Sequence, residues 1–147
     1  MNKESTWEEC IESNSSINIS PDKSKAKSLV DTAVGRNKFL DKSELNEESS
    51  NYIFEGYYSS TLEILHALVL LKGYKVSNHI CLGYYLRDIL NNKKLFRLFD
   101  DCRFKRNSLV YYGRKMDFET GKSAIEKCKS LIKELNELVN NEIGKIV

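Results

Sequence analysis

Proline is nearly missing from this chain: Pro21 is the only one in 147 residues, and only seven glycines join it as breakers of helical periodicity. A strand-and-turn architecture needs more punctuation than that, so the composition favours helices. An excess of one charge is also missing. Twenty-three basic residues face 21 acidic ones, and the formal net charge of +2 is too small to argue for a polyanionic partner from the whole chain, leaving that case to a local patch. Long apolar runs are absent as well. The longest, residues 64–71, is interrupted by His66 and is far shorter than the roughly 20 residues of a membrane span. The opening MNKESTWEEC holds no apolar core fit for a signal peptide, and the expectation is a cytoplasmic protein with no membrane partner.

Cysteine and histidine are sparse. Cys10, Cys81, Cys102 and Cys128 match the spacing of neither zinc ligands nor a secreted disulfide framework, so all four read as reduced core thiols. His66 and His79 are the only histidines. His66 lies in the apolar run and reads as a satisfied core residue, while His79 reads as a capping or surface group. Without a carboxylate pair on the same face they make a weak metal case. Asp100 and Asp101 point about 100° apart on a helix and form no metal dyad. No metal and no cofactor is expected.

What is present is helical patterning. A chain of this length is one domain by the usual size of roughly 100–150 residues. Residues 1–19 are polar, with Trp7, Cys10 and Ile11 at the spacing of one short docked helix, and residues 20–147 carry the bundle. Ser20-Pro21-Asp22 reads as a helix start with Ser20 as cap and Pro21 at the first helical position. Ala26, Leu29, Val30, Ala33 and Val34 follow as an amphipathic stripe, giving a helix over about 21–42. A second, over about 47–72, is apolar nearly all round in its later half. Such a helix is covered on several sides, within the bundle or by a second subunit, and predicts a homodimer. Gly73 reads as its left-handed cap. Ser77 caps a shorter helix over about 77–91, broken by Asn91-Asn92. The next spans about 94–112 and stops at Gly113. The last begins near Asp117 or Thr120 and runs to about 141, with Ile125, Cys128, Ile132, Leu135 and Val139 at bundle-seam spacing and Leu131 and Leu138 widening it. The fold class is all-α, a four-to-five-helix up-down bundle.

The segment 100–115 is densest in functional residue types. On a helical wheel Leu95, Leu98, Phe99, Cys102 and Leu109 form one stripe, and Arg106 falls about 20° from Leu95, inside it. An unpaired buried guanidinium costs several kcal/mol, so Arg106 needs a partner or a cleft. The structural alternative is an ion pair with Asp100, Asp101 or Glu55. Arg103, Lys105, Arg114 and Lys115 add local positive charge, and each taken singly reads as solvated surface.

Tyr57-Tyr58 before a long apolar stretch, Leu71-Lys72-Gly73-Tyr74, His79, and Arg106-Asn107 leading to Val110-Tyr111-Tyr112-Gly113 together resemble a HEPN domain over roughly residues 20–140, most specifically at Arg106-Asn107 and the residues after it. The resemblance implies a small helical bundle, usually a dimer. In many members it implies metal-independent endoribonuclease activity, and in some a toxin paired with a small nucleotidyltransferase antitoxin. The family motif is an arginine, often followed by Asn, and a histidine after four to six intervening residues. The histidine moves protons around the 2′-hydroxyl and the leaving oxygen, and the arginine stabilises charge on the phosphate. Arg106 and Asn107 match that motif. The position after four intervening residues is Tyr111, and no histidine follows Arg106. A tyrosine with pKa near 10 is a poor general base at neutral pH. Gly113 stands where some toxins of the family carry an adenylylated tyrosine.

The resemblance therefore implies Arg106, Asn107 and Tyr111 as candidate catalytic residues, and Arg103, Lys105, Tyr112, Arg114 and Lys115 as candidate RNA- or nucleotide-binding residues. An ideal helix separates Arg106 from Tyr111 by about 140°. Bringing them to one phosphate then requires a distorted helix end near Gly113 or two subunits. The missing histidine favours a degenerate RNA- or nucleotide-binding module, or the partner of a nucleotidyltransferase. An endoribonuclease or toxin using Arg106, and a purely structural dimerisation bundle, are the alternatives.

Overall fold

In the computed structural model, which describes residues 4–146 and the side chains of residues 4–144, helical periodicity sets nearly every element. The long helices are α2 (Lys23–Asp41), α3 (Ser50–Leu71), α5 (Lys93–Tyr112) and α6 (Phe118–Ile146), and α1 (Trp7–Glu12) and α4 (His79–Tyr84) are short. A single π turn, Tyr85–Ile89, continues α4.

Two caps differ from expectation. Asp22, not Ser20, closes the amino end of α2, its carboxylate accepting from the Lys25 amide at 3.0 Å; Pro21 thus stands just outside the helix. Asn78 rather than Ser77 precedes α4, and Ser77 instead donates its amide to the Ser15 carbonyl at 2.8 Å. The punctuation around them holds. Asn91 takes a positive φ of 53°, and Asn92 caps α5 by accepting from the Leu95 amide at 3.0 Å. Gly113 ends α5 at φ 65°, a left-handed conformation that costs glycine no Cβ clash.

α3 is the central element, packed between α2 and α6, with α5 against α6 and α4 against α5. Its buried face includes Phe54, Tyr58, Ile64, Leu65 and Leu68. The seam expected on α6 is the observed one: Ile125, Cys128, Ile132, Leu135 and Val139 are all buried, with Leu131 beside them. α2, α5, α6 and residues 74–84 bury most of α3 within one chain, so its apolar composition is by itself no argument for a second subunit. Beneath α5, Tyr58 and Phe99 stack with ring centroids 6.1 Å apart. Both are fully buried, and truncating a core aromatic of this kind to alanine costs about 3–5 kcal/mol.

Two features lie outside the helical reading. β1 (Ser16–Asn18) pairs antiparallel with β2 (Tyr74–Val76), tying the amino-terminal segment to the chain just before α4. Cys10 and Cys81 form a disulfide from α1 to α4, with Cα atoms 6.1 Å apart. This corrects the expectation of four reduced thiols. Pairwise spacing in sequence carried no sign of it, because 71 residues separate the partners. It also removes cysteine usage as an argument for a reducing compartment. Cys102 and Cys128 are free and buried, as expected of small apolar residues, with sulfur atoms 3.5 Å apart. Residues 4–19 accordingly belong to the same body as the bundle. Trp7 is buried between Tyr74 and Tyr85, at centroid distances of 5.1 and 5.2 Å, and its amide donates to Asp88 at 2.8 Å. No helix among the described residues is long and apolar enough to cross a membrane.

Candidate functional site

Arg103, Asn107 and Tyr111 recur every fourth residue of α5, so their side chains form one ridge. The start of α4 faces that ridge. Gly83 makes the close approach possible: a Cβ there would meet the rings of Phe96 and Phe99 at 3.1 Å. β2, held by β1, fixes the entry to α4. Ser77, Asn78 and His79 thereby close a polar pocket of about 310 Å³ against Arg103, Asn107 and Tyr111. His79, expected as a capping or surface group, is instead a half-buried wall of this pocket.

Arg106 adjoins the pocket through Asn107 and Tyr111, and no carboxylate pairs with it among the described residues. Its guanidinium carbon lies 5.7 Å from the Tyr58 ring centroid and 5.5 Å from that of Tyr111, a cation held between two aromatic faces. Its Nη1 donates to Asn107 Oδ1 and to the Tyr111 hydroxyl, both at 3.4 Å. Those are long bonds for a charged donor, and they leave much of the five-donor fork free. The alternative, an ion pair with Asp100, Asp101 or Glu55, does not form among the described residues. Asp100 pairs with Arg103 at 2.9 Å, and Asp101 pairs with Lys105 at 2.8 Å and Lys127 at 3.0 Å. The wheel's objection to joining Arg106 and Tyr111 is also corrected. α5 stays helical through Tyr112, and the length of the arginine side chain, not a distorted helix, brings its donor to the tyrosine hydroxyl within one chain.

Burial holds the His79 pKa below the usual histidine range, and the positive charges of Arg106 and Arg103 push it the same way. Its imidazole is therefore neutral at pH 7 and able to accept a proton. His66 packs edge-on to it at 6.2 Å, and its pKa is lowered to about 4 by burial first, then by His79 and Lys25. Burial raises the Tyr58 phenol well above its ordinary value, against the opposing pull of Arg106 and Arg103. Its hydroxyl is buried without a hydrogen-bond partner.

The remaining candidate binding residues divide. Arg103 lines the pocket but shares its charge with Asp100. Lys105 is drawn to Asp101, beside Lys127 of α6, and is not part of the pocket wall. Arg114 lies over the Tyr112 ring at 5.6 Å. Lys115 lies over Tyr52 at 6.0 Å and faces a separate cleft with Glu47 and Glu48. Tyr111, Tyr112 and Tyr52 are 67%, 72% and 65% exposed, so their rings remain open to contact.

Sequence reasoning missed His79, and two signals could have found it. Asn107 and Tyr111 repeat the spacing of Arg103, marking a polar ridge distinct from the apolar stripe. The polar triplet Ser77-Asn78-His79, between the β2 apolar residues and Ile80, marks an exposed turn able to face that ridge. Among the described residues, no three His, Cys, Asp or Glu side chains come together to hold a metal ion. No family model, no curated protein and no solved structure matches the chain.

Proposed function

We propose that this chain is a HEPN-type helical-bundle module that binds single-stranded RNA at the pocket bordered by Arg106. The observation that carries this reading is Arg106 itself: a guanidinium between two tyrosine rings, without a carboxylate, beside a polar pocket. An arginine so placed offers forked donors to a phosphate oxygen pair. Two further features support RNA over a free anion. Tyr111 and Tyr112 are exposed aromatics next to that donor, and unpaired bases stack on such rings. Arg114 and Lys115 continue the positive charge past Gly113. One chain supplies all six residues that line the pocket.

The test is fluorescence anisotropy with a labelled single-stranded RNA at two salt concentrations. Arg106→Ala is expected to weaken binding at least tenfold and to lower the salt dependence by about one phosphate contact. Equal affinity of wild type and Arg106→Ala would sink the reading.

A second reading, metal-independent cleavage of the bound strand, is favoured by one observation: His79 restores an imidazole to the pocket from a different helix. In this reading neutral His79 takes the proton from the 2′-hydroxyl. The 2′-oxygen attacks phosphorus, the bond to the 5′-oxygen breaks, and that oxygen leaves as a 5′-hydroxyl by taking a proton from water, while His79 returns its own proton to solvent; a 2′,3′-cyclic phosphate remains on the upstream fragment. Arg106 holds the charge that develops on the phosphate. RNA incubated with EDTA separates the readings. Cleavage by wild type that vanishes in His79→Ala, with binding retained, supports the second, whereas an uncut strand leaves binding alone.

A further inference from the structure

Cys102 of α5 and Cys128 of α6 meet sulfur to sulfur in the core, 3.5 Å apart in space and 26 residues apart in the chain. Both are fully buried and free, whereas Cys10 and Cys81 are already joined to each other. A buried thiol packed among hydrocarbon is inert, and what makes a cysteine reactive is nearby positive charge. A second sulfur within reach then decides what the first one becomes when it is oxidised. This pair has both.

The charge comes from the residues flanking the two cysteines. Asp101 accepts from Lys105 at 2.8 Å and from Lys127 of α6 at 3.0 Å, so two ammonium groups and one carboxylate bridge the helices where the cysteines meet. The Cys102 thiol is held below its ordinary pKa, first by the bond that Cys128 donates to its sulfur, with Lys105 and Lys127 acting the same way against burial and Asp101. Donating that bond, together with burial, pushes the Cys128 thiol well above the ordinary value. The sulfurs therefore differ: Cys102 is the one that ionises, and Cys128 keeps its proton beside it.

We propose that Cys102 and Cys128 are a redox-active dithiol that a small peroxide closes to a disulfide between α5 and α6. The Cys102 thiol gives its proton to solvent and the thiolate attacks one peroxide oxygen. The O–O bond breaks, the far oxygen leaves as water after taking up a proton, and Cys102 becomes a sulfenic acid. The Cys128 sulfur then attacks the Cys102 sulfur, its proton goes to the departing oxygen, and a second water leaves. Two thiols have lost two electrons, and the peroxide has gained them. The sulfurs close from 3.5 Å to the roughly 2.0 Å of a disulfide. Burial selects the oxidant. The bridging Asp101, Lys105 and Lys127 are part-exposed, and ion pairs of that kind hold weakly, so local opening of α5 from α6 admits a molecule of two oxygens before it admits a bulky disulfide. The site is independent of the RNA reading and stands or falls separately from it.

The experiment treats the full chain with hydrogen peroxide, stops the reaction by unfolding in excess iodoacetamide, and weighs the cysteine peptides. Wild type is expected to go from two alkylated thiols to none and to yield one cross-linked pair of peptides holding Cys102 and Cys128, lighter by two hydrogens than the sum of the free ones. Dithiothreitol is expected to restore the thiols. Cys128→Ala is expected to gain oxygen at Cys102, because no second thiol resolves the sulfenic acid, and Cys102→Ala is expected to react at Cys128 at least tenfold more slowly. Oxidised glutathione in place of peroxide is expected to act on wild type at least tenfold more slowly. If the alanine variants fail to fold, the wild-type measurements with the two oxidants carry the test. Four results would overturn the proposal: both thiols surviving millimolar peroxide, oxygen added to either wild-type cysteine without a cross-link, equal rates for the two alanine variants, or equal rates for peroxide and oxidised glutathione.

Discussion

Arg106 lies over the face of Tyr58, 5.7 Å from its ring centroid, and the hydroxyl of that same tyrosine is buried without a hydrogen-bond partner. The ring and the oxygen therefore have different value to the protein. The ring stacks on Phe99 and gives the guanidinium a face to rest on, whereas the oxygen carries a desolvation cost. Tyr58→Phe keeps the first and removes the second, and it should stabilise the fold by about 1 kcal/mol. Urea denaturation measures this, and RNA affinity should not change. A destabilised Tyr58→Phe would show that the hydroxyl is satisfied in solution.

Tyr111 and Tyr112 test stacking separately from charge. Base stacking on an aromatic side chain is worth about 1–3 kcal/mol, roughly 5- to 150-fold in affinity. Tyr112→Ala should fall in that range, Tyr112→Phe should restore binding, and the salt dependence should be the same in all three proteins because no charge is removed. A change in salt dependence with Tyr112→Ala would point instead to Arg114, which lies over that ring.

The Cys10–Cys81 disulfide closes a loop of 71 residues, and a cross-link of that span contributes about 4 kcal/mol on the chain-entropy account. Cys10→Ser/Cys81→Ser should lower stability by that order in urea denaturation. Thiol titration of the unfolded protein should find two thiols, from Cys102 and Cys128, and four after reduction. Four before reduction would mean that the bond does not form. Cys81 lies on the same short helix as His79, so the disulfide variant also shows how far that helix depends on its covalent tie.

Most of the bundle was legible because its long helices satisfy local rules that agree with their packing. The α6 seam, the Asn91-Asn92 break and the stop at Gly113 all depend on neighbours within a turn or two. That Arg106 needs a partner was legible for the same reason: a charge inside an apolar stripe conflicts with its own helix, and the guanidinium rests over Tyr58 and Tyr111. The parts not legible are non-local. The β1–β2 pairing joins two three-residue strands, too short for a period-two pattern to declare itself. The disulfide and the approach of His79 to Tyr111 depend on how α4 docks, which no single window of sequence contains. The caps were misplaced by one or two residues because Ser20 and Asp22, or Ser77 and Asn78, are equally able to accept from a free amide.

Acidification separates the two histidines, because one should report on stability and the other also on binding. The folded pKa of His66 is about 4 against an ordinary 6.5. Between those values the unfolded chain takes up a proton that the folded one refuses, so stability should fall as pH drops through that window and return above it. The loss for His66 is about 3 kcal/mol at most, and His79, shifted in the same direction, adds to the slope. Urea denaturation at pH 5 and pH 7.5 checks this, and His66→Asn should flatten the difference. RNA affinity should move the other way. Protonating His79 adds a cation to the pocket wall, so binding should tighten as pH falls while the fold still holds. His79→Ala should abolish that gain and leave most of the stability slope, and His66→Asn should do the reverse. If both variants altered stability alone, His79 would be a core histidine and the pocket would owe its affinity to arginine and tyrosine.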